Sequence, residues 1–521
     1  MRHHVITSAV CLAICFGLAI LAHPASAEVK LPPVLSSHMV LQRELPVPIW
    51  GTAAAGEKVT VTFRGQTKTV VAEESGKWSV KLDPLQVGDP AALTITGTNT
   101  LTLEDVLVGE VWVGSGQSNM AGGVKGYVQN DDVLAKAAEG APYPRLRLIG
   151  SGGRGWREAT TESINGFSAI LFAFGLRLHQ ELDVPVGLMV GAVGGTPSGF
   201  WLSEEAYHAD AACQEVVRKF AAHYSAEAEQ KRYEQSLEKW EKDAEKAKLD
   251  GKQPPRKPSL PLKPGECSGK VGHLYEAHIR PYIPYGMRGV LWDQGESGTA
   301  IQGVDQYTLM GALIRGWRTE WGQGDFPFLH VQKPSGGGCA WEPSDPVTSK
   351  ADKFAPLPAA VPNLNDGLYR ETHIRISRYP NTAMVTASDL GPGVHPVNKS
   401  GYGARAARVA LGMVYGRKVE IYGPAYQSHE IDGRQVRIKF SHIGQGLASR
   451  PGEKLQGFAV AGEDRLFHWA VAEIDGETVV VTSDKVADPT AVRYAFSQQH
   501  PWANLFNKDG LPALPFRTDA W

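Results

Sequence analysis

A serine whose own amide shares its outward space, a histidine able to take its proton and a carboxylate behind the histidine are the parts of an acyl-transfer site. Ser118 lies in the small, polar stretch 113–120, directly after the β-branched run 106–112, which reads as a buried strand. A turn at a strand end exposes the serine hydroxyl and aims its N–H into the same space, which suits a nucleophile beside an oxyanion donor. Ser115, between Gly114 and Gly116, is the rival serine and reads rather as a backbone bend. The stretch is not the Gly-x-Ser-x-Gly elbow, because Met120 stands at the second glycine position. Taken alone it also suits an ordinary polar turn.

Three more apolar runs end in chemistry-bearing residues. Residues 186–190 lead to Gly194 and Gly195, whose amides can face an oxyanion. Residues 289–292 lead to Gln294, a donor, and Glu296, an acceptor. Residues 382–387 lead to Asp389 and His395, ahead of a helix-like segment at 403–411 closed by Gly412. A histidine between a strand and a helix stands where α/β enzymes keep catalytic groups. Each cluster alone is a common strand-end turn. Ser, Gly-Gly, Gln/Glu and His in that chain order point to a hydrolase.

These groups need a scaffold, and residues 105–414 alternate strands with helices, among them 170–179 and 307–321. That alternation predicts a three-layer α/β domain on a mostly parallel sheet. A charged, alanine-rich helical insert near 203–260 interrupts it, closing on the Pro-rich stretch 251–258. Residues 28–104 read as short strands with Gly-rich turns, a β-sandwich-like domain. Val59, Val61 and Phe63 share one face of the strand 58–63. Residues 415–521 read as a second β-rich module with strands at 418–422, 436–440 and 478–482.

A chain of 521 residues calls for two or three domains, and 42% apolar with 21% charged residues is a globular balance. A formal net charge of −2 leaves no basic excess for nucleic acid, and no basic amphipathic stretch suits a membrane surface. Residues 1–27 read as a signal peptide: Arg2, His3 and His4, an apolar run over 5–22, and Ala25-Ser26-Ala27 as a cleavage site. The mature protein is then periplasmic or extracellular, with no membrane segment after cleavage. It keeps Cys213, Cys267 and Cys339, an odd number, so at least one thiol is left over. No metal-ligand spacing stands out, and no cofactor is expected.

The chain resembles the sialate O-acetylesterase family, carbohydrate esterases of the SGNH-hydrolase superfamily. The resemblance rests on stretches 39–43, 111–120, 194–197, 294–297 and 395–399, with a closing segment at 504–519. It implies a flavodoxin-like αβα hydrolase domain and removal of acetyl groups from an acetylated carbohydrate, a sialoside or a polysaccharide such as xylan. By the same resemblance Ser118 is the nucleophile and His395 the general base. The oxyanion donors are the Ser118 amide, that of Gly194 or Gly195, and the Gln294 side chain. The family usually carries an Asp two residues before the His, where this chain has Gly393. Glu296 is then the favoured orienting acid, Asp389 the second, and a Ser–His dyad held by a backbone carbonyl the third. The departure also admits a carbohydrate-binding protein that has lost catalysis. His278, where relatives carry another residue, reads as a site-lining or a structural histidine.

Overall fold

The computed structural model describes residues 28–151, 153 and 155–521; the expected signal peptide lies outside them. At its centre is a sheet of β1 (Thr100–Gly116), β2 (Tyr143–Ile149), β3 (Arg157–Ala159), β4 (Val186–Ala192), β5 (Gly289–Asp293), β6 (Phe328–Val331) and β7 (Thr382–Val385). The strand order is β7-β6-β5-β1-β4-β2-β3. All neighbours run parallel except the edge pair β2–β3. From β1 the chain first builds β2 and β4 on one side, then returns to build β5, β6 and β7 on the other. The carboxyl end of β1 is therefore the topological switch point, where open α/β sheets bind their ligands.

Alternation along the strands feeds two cores. Val111 and Val113 face one, Trp112 the other. Helix α1 (Ala169–Leu182) and helix α3 (Lys399–Met413) pack together on the Trp112 face, and α2 (Gln306–Trp321) covers the opposite one. Their starts are capped by Ser168, Asp305 and Asn398, whose side chains accept from the amides of Leu171, Thr308 and Gly401. Helix α3 begins four residues earlier than the segment expected from sequence and runs through Gly412.

β1 spans 17 residues. Its first part pairs with Ala91–Thr96 of the N-terminal strands, its second part with β4 and β5, so the expected boundary at 104/105 falls inside one strand. Lys58–Phe63 forms with Val59, Val61 and Phe63 buried. The charged stretch after 203 folds into three helices, Glu204–Ala209, Ala211–Ala221 and Ala226–Leu249, the last with no buried residue. The expected strand at 418–422 is absent. Val419 N–H instead closes a tight turn onto Arg417 O at 2.9 Å, and Ile421 and Tyr422 pack against the α1/α3 core. Gln435–Ser441 and Thr478–Thr482 do form and pair antiparallel. Cys213, Cys267 and Cys339 are all free thiols.

Candidate active site

β1 ends in a turn that only glycine can make. Gly116 has φ +129°, and a Cβ there would stand 2.1 Å from Asp293 O. That close approach lets Gln117 N–H donate to Asp293 O at 2.9 Å, tying the turn to the end of β5. Ser118 then opens the short helix Ser118–Ala121. From Ser115 to Met120, Ser118 alone is not fully buried. The turn thus delivers one hydroxyl to the surface from a rigid base.

The other strand ends meet it there. A Cβ on Gly194 would lie 3.4 Å from Ser118 Cβ, whereas one on Gly195, at φ +72°, would meet nothing. Gly194 is thus the glycine beside the Ser118 side chain. Gln294 is buried; its Nε2 donates to Thr196 O and Gly298 O, both at 3.3 Å, and its Oε1 accepts from Gln306. In this arrangement it braces the Gly194–Thr196 loop.

Glu296 accepts from Gln117 Nε2, and its Oε1 lies 3.3 Å from Asn119 Nδ2. Ser297 Oγ closes the same patch by donating to Gln117 Oε1 at 2.9 Å. The His395 turn is exposed, and Asn119 Nδ2 donates to the carbonyl of its neighbour Val394 at 2.9 Å. The structure therefore brings the turns of Ser118, Gly194, Glu296 and His395 to one edge. Among the described residues no hydrogen bond joins His395 to Glu296 or to Asp389. Asp389 is fully buried and gripped by Arg405 through both oxygens, at 3.2 and 2.8 Å.

A cavity of about 700 Å³ opens on the β4/β2 side, lined by Ala121, Ser151, Arg157, Ser168 and Ala192 among others. His278 is bonded to the Oγ of Ser151, one of the lining residues. Among the described residues no cluster of His, Cys, Asp and Glu could hold a metal ion.

No family model matches the chain. The sialate O-acetylesterase of Homo sapiens is 25% identical over 536 residues, covering 92% of this chain and 91% of that protein. That of Rattus norvegicus is 28% identical over 542 residues, covering 92% and 93%. The crystal structure of a carbohydrate acetylesterase from Xanthomonas citri matches at TM-score 0.72 and 29% identity, across 95% of this chain and 100% of that one. The chain is thus similar to sialate O-acetylesterases along nearly its whole length.

Around the same strand ends stand further groups that the sequence pattern did not single out. Lys333, just beyond β6, is fully buried, 2.6 Å from Asp293 Oδ1 and 2.8 Å from Glu296 Oε1. Burial works against its ammonium, but the two carboxylates outweigh burial and hold its pKa above the ordinary lysine value. Burial likewise pushes Asp293 up. For Glu296 burial is outweighed, chiefly by Lys333, and the carboxyl is held below its ordinary value. Lys399, at the start of α3, donates to Asn119 Oδ1 at 2.6 Å. The signal available was the one used for the other strands: the apolar run 328–331 also ends in a polar pair, Gln332 and Lys333.

Proposed function

We propose that this protein removes O-acetyl groups from a carbohydrate through an acetyl-serine intermediate, on an αβα scaffold of the SGNH type. One observation carries the reading: a half-exposed Ser118 on an otherwise buried switch-point turn, with Gly194 beside it and the His395 turn bonded to its neighbour Asn119. The names of the human and rat relatives and of the bacterial acetylesterase support the acetyl-sugar chemistry.

Ser118 Oγ attacks the acetyl carbonyl while His395 takes its proton. The amides of Ser118 and Gly194 face the oxyanion, with Gln294 holding the Gly194 loop in place. Collapse of the tetrahedral adduct breaks the ester bond, and His395 returns the proton to the leaving sugar oxygen. Water, deprotonated by His395, then attacks the acetyl-enzyme; the adduct collapses to acetate as His395 returns that proton to Ser118 Oγ. The leader over residues 1–27 directs the enzyme to the periplasm or beyond. A sialic acid acetyl ester is the first substrate to test, acetylated xylan the second.

Acetate release from acetylated sialosides and polysaccharides, with Ser118→Ala as control, tests the reading. Ser118→Ala should leave the fold intact and abolish release. A folded wild-type protein that cleaves none of them and is not labelled by a fluorophosphonate favours a second reading, a carbohydrate-binding protein. The observation behind that alternative is that, among the described residues, no carboxylate holds His395.

A further inference from the structure

Asn119 follows Ser118, and its amide is committed on both sides. Oδ1 accepts from Lys399 Nζ at 2.6 Å; Nδ2 donates to Val394 O at 2.9 Å. Val394 directly precedes His395, and Lys399 comes four residues after it. One side chain on the nucleophile turn therefore ties down both ends of the histidine turn.

That turn needs an anchor. Gly393 is exposed at φ +90°, Val394 and His395 are exposed, and among the described residues no carboxylate bonds the imidazole. Lys399 is the opposite: fully buried, its ammonium 4.5 Å from the centre of the Tyr127 ring. Its hydrogen bond goes to the neutral Asn119, not to an acid. A buried ammonium bonded to a neutral amide is a costly arrangement, and an apolar side chain would fill the space more favourably. What the lysine holds gives that arrangement a reason.

We propose that Lys399 and Asn119 form a latch that positions His395 over Ser118, doing by docking of the turn what an orienting acid does through the imidazole. Both are positioning residues. The proposal rests on the reading of Ser118 and His395 as nucleophile and base.

The test compares the full mature chain with Lys399→Met, Asn119→Ala and the double variant, using a chromogenic acetyl ester and hydrogen exchange. Each single variant should lower kcat about 10–100-fold, the scale of a small misplacement of a catalytic group, with KM within about twofold. The double variant should be no worse than the weaker single one, since both break one latch. Amide exchange should accelerate over residues 392–397 and stay unchanged in the central strands. Unchanged kcat, multiplicative losses or unchanged exchange at 392–397 would each overturn the latch. If Lys399→Met does not fold, Asn119→Ala decides alone. An inert wild type refutes the esterase reading instead, and the exchange experiment still tests the latch.

Discussion

Lys333 Nζ stands 2.6 Å from Asp293 Oδ1, and neither side chain reaches solvent. The same ammonium reaches Glu296, which in turn accepts from Gln117 next to Ser118. One buried cation thus joins the ends of β5 and β6 to the nucleophile turn. Lys333→Met removes the charge and leaves Asp293 buried without its partner. Losing one side of a buried pair typically costs about 3–5 kcal/mol. Urea denaturation at neutral pH should show a loss of that size; a loss under about 1 kcal/mol would mean the pair contributes little.

Gly194 and Gly195 separate two effects. Gly194 lies outside the left-handed region, so alanine costs its backbone little, and the new methyl would sit in van der Waals contact with Ser118 Cβ at 3.4 Å, filling space beside the nucleophile. Gly195 sits at φ +72° in open space, so alanine there is strained and touches nothing. Gly194→Ala should therefore cut esterase turnover at least about tenfold with stability unchanged. Gly195→Ala should cost about 1 kcal/mol of stability and leave turnover nearly intact. Steady-state kinetics and melting curves of the pair check this; the reverse pattern would make Gly195 the site glycine.

Ser118, Gly194, Glu296 and His395 were legible because each ends an apolar run, and strand ends are where a parallel sheet exposes polar groups. Lys333 obeys the same rule, yet a lysine beside a proline reads as surface until Asp293 and Glu296 are seen around it. Asn119 and Lys399 were illegible for another reason. Their bond spans 280 positions, and only the adjacency of α3 to the Ser118 turn creates it. At 418–422 the alternation suggested a strand, but packing of Ile421 and Tyr422 under the helices overrode it. The β1 boundary was blurred because one continuous strand serves two modules.

Asp389 is the second acid that the sequence offered, and its surroundings argue for structure. Arg405 holds both oxygens in the interior. Asp389→Asn should lower stability by about 3–5 kcal/mol, because it strands a buried guanidinium. Turnover of the folded fraction should stay within about threefold of wild type. Kinetics normalised to folded protein at low temperature decide it: a loss of several orders of magnitude would make Asp389 a partner of His395.

Lys399 gives the fold a pH signature. Burial, helped by the nearby Lys333 and opposed by Asp293, Glu296 and Asp131, pushes its pKa from 10.5 down to about 7. The rings of Tyr127 and Tyr402 face its ammonium as well. In the unfolded chain the lysine keeps its proton up to its ordinary pKa; in the folded protein it gives the proton up near 7. Between those values the unfolded state binds more protons, so stability rises with pH across that window, by up to about 1.4 kcal/mol per pH unit. Lys399→Met has no such group, and the other ionisations cancel in the difference between the two proteins. The stability of wild type minus that of Lys399→Met, measured by urea denaturation from neutral to alkaline pH, should therefore climb with pH and flatten below about 7. A flat difference across the window would mean that Lys399 keeps its ordinary pKa, and that burial costs its ammonium nothing.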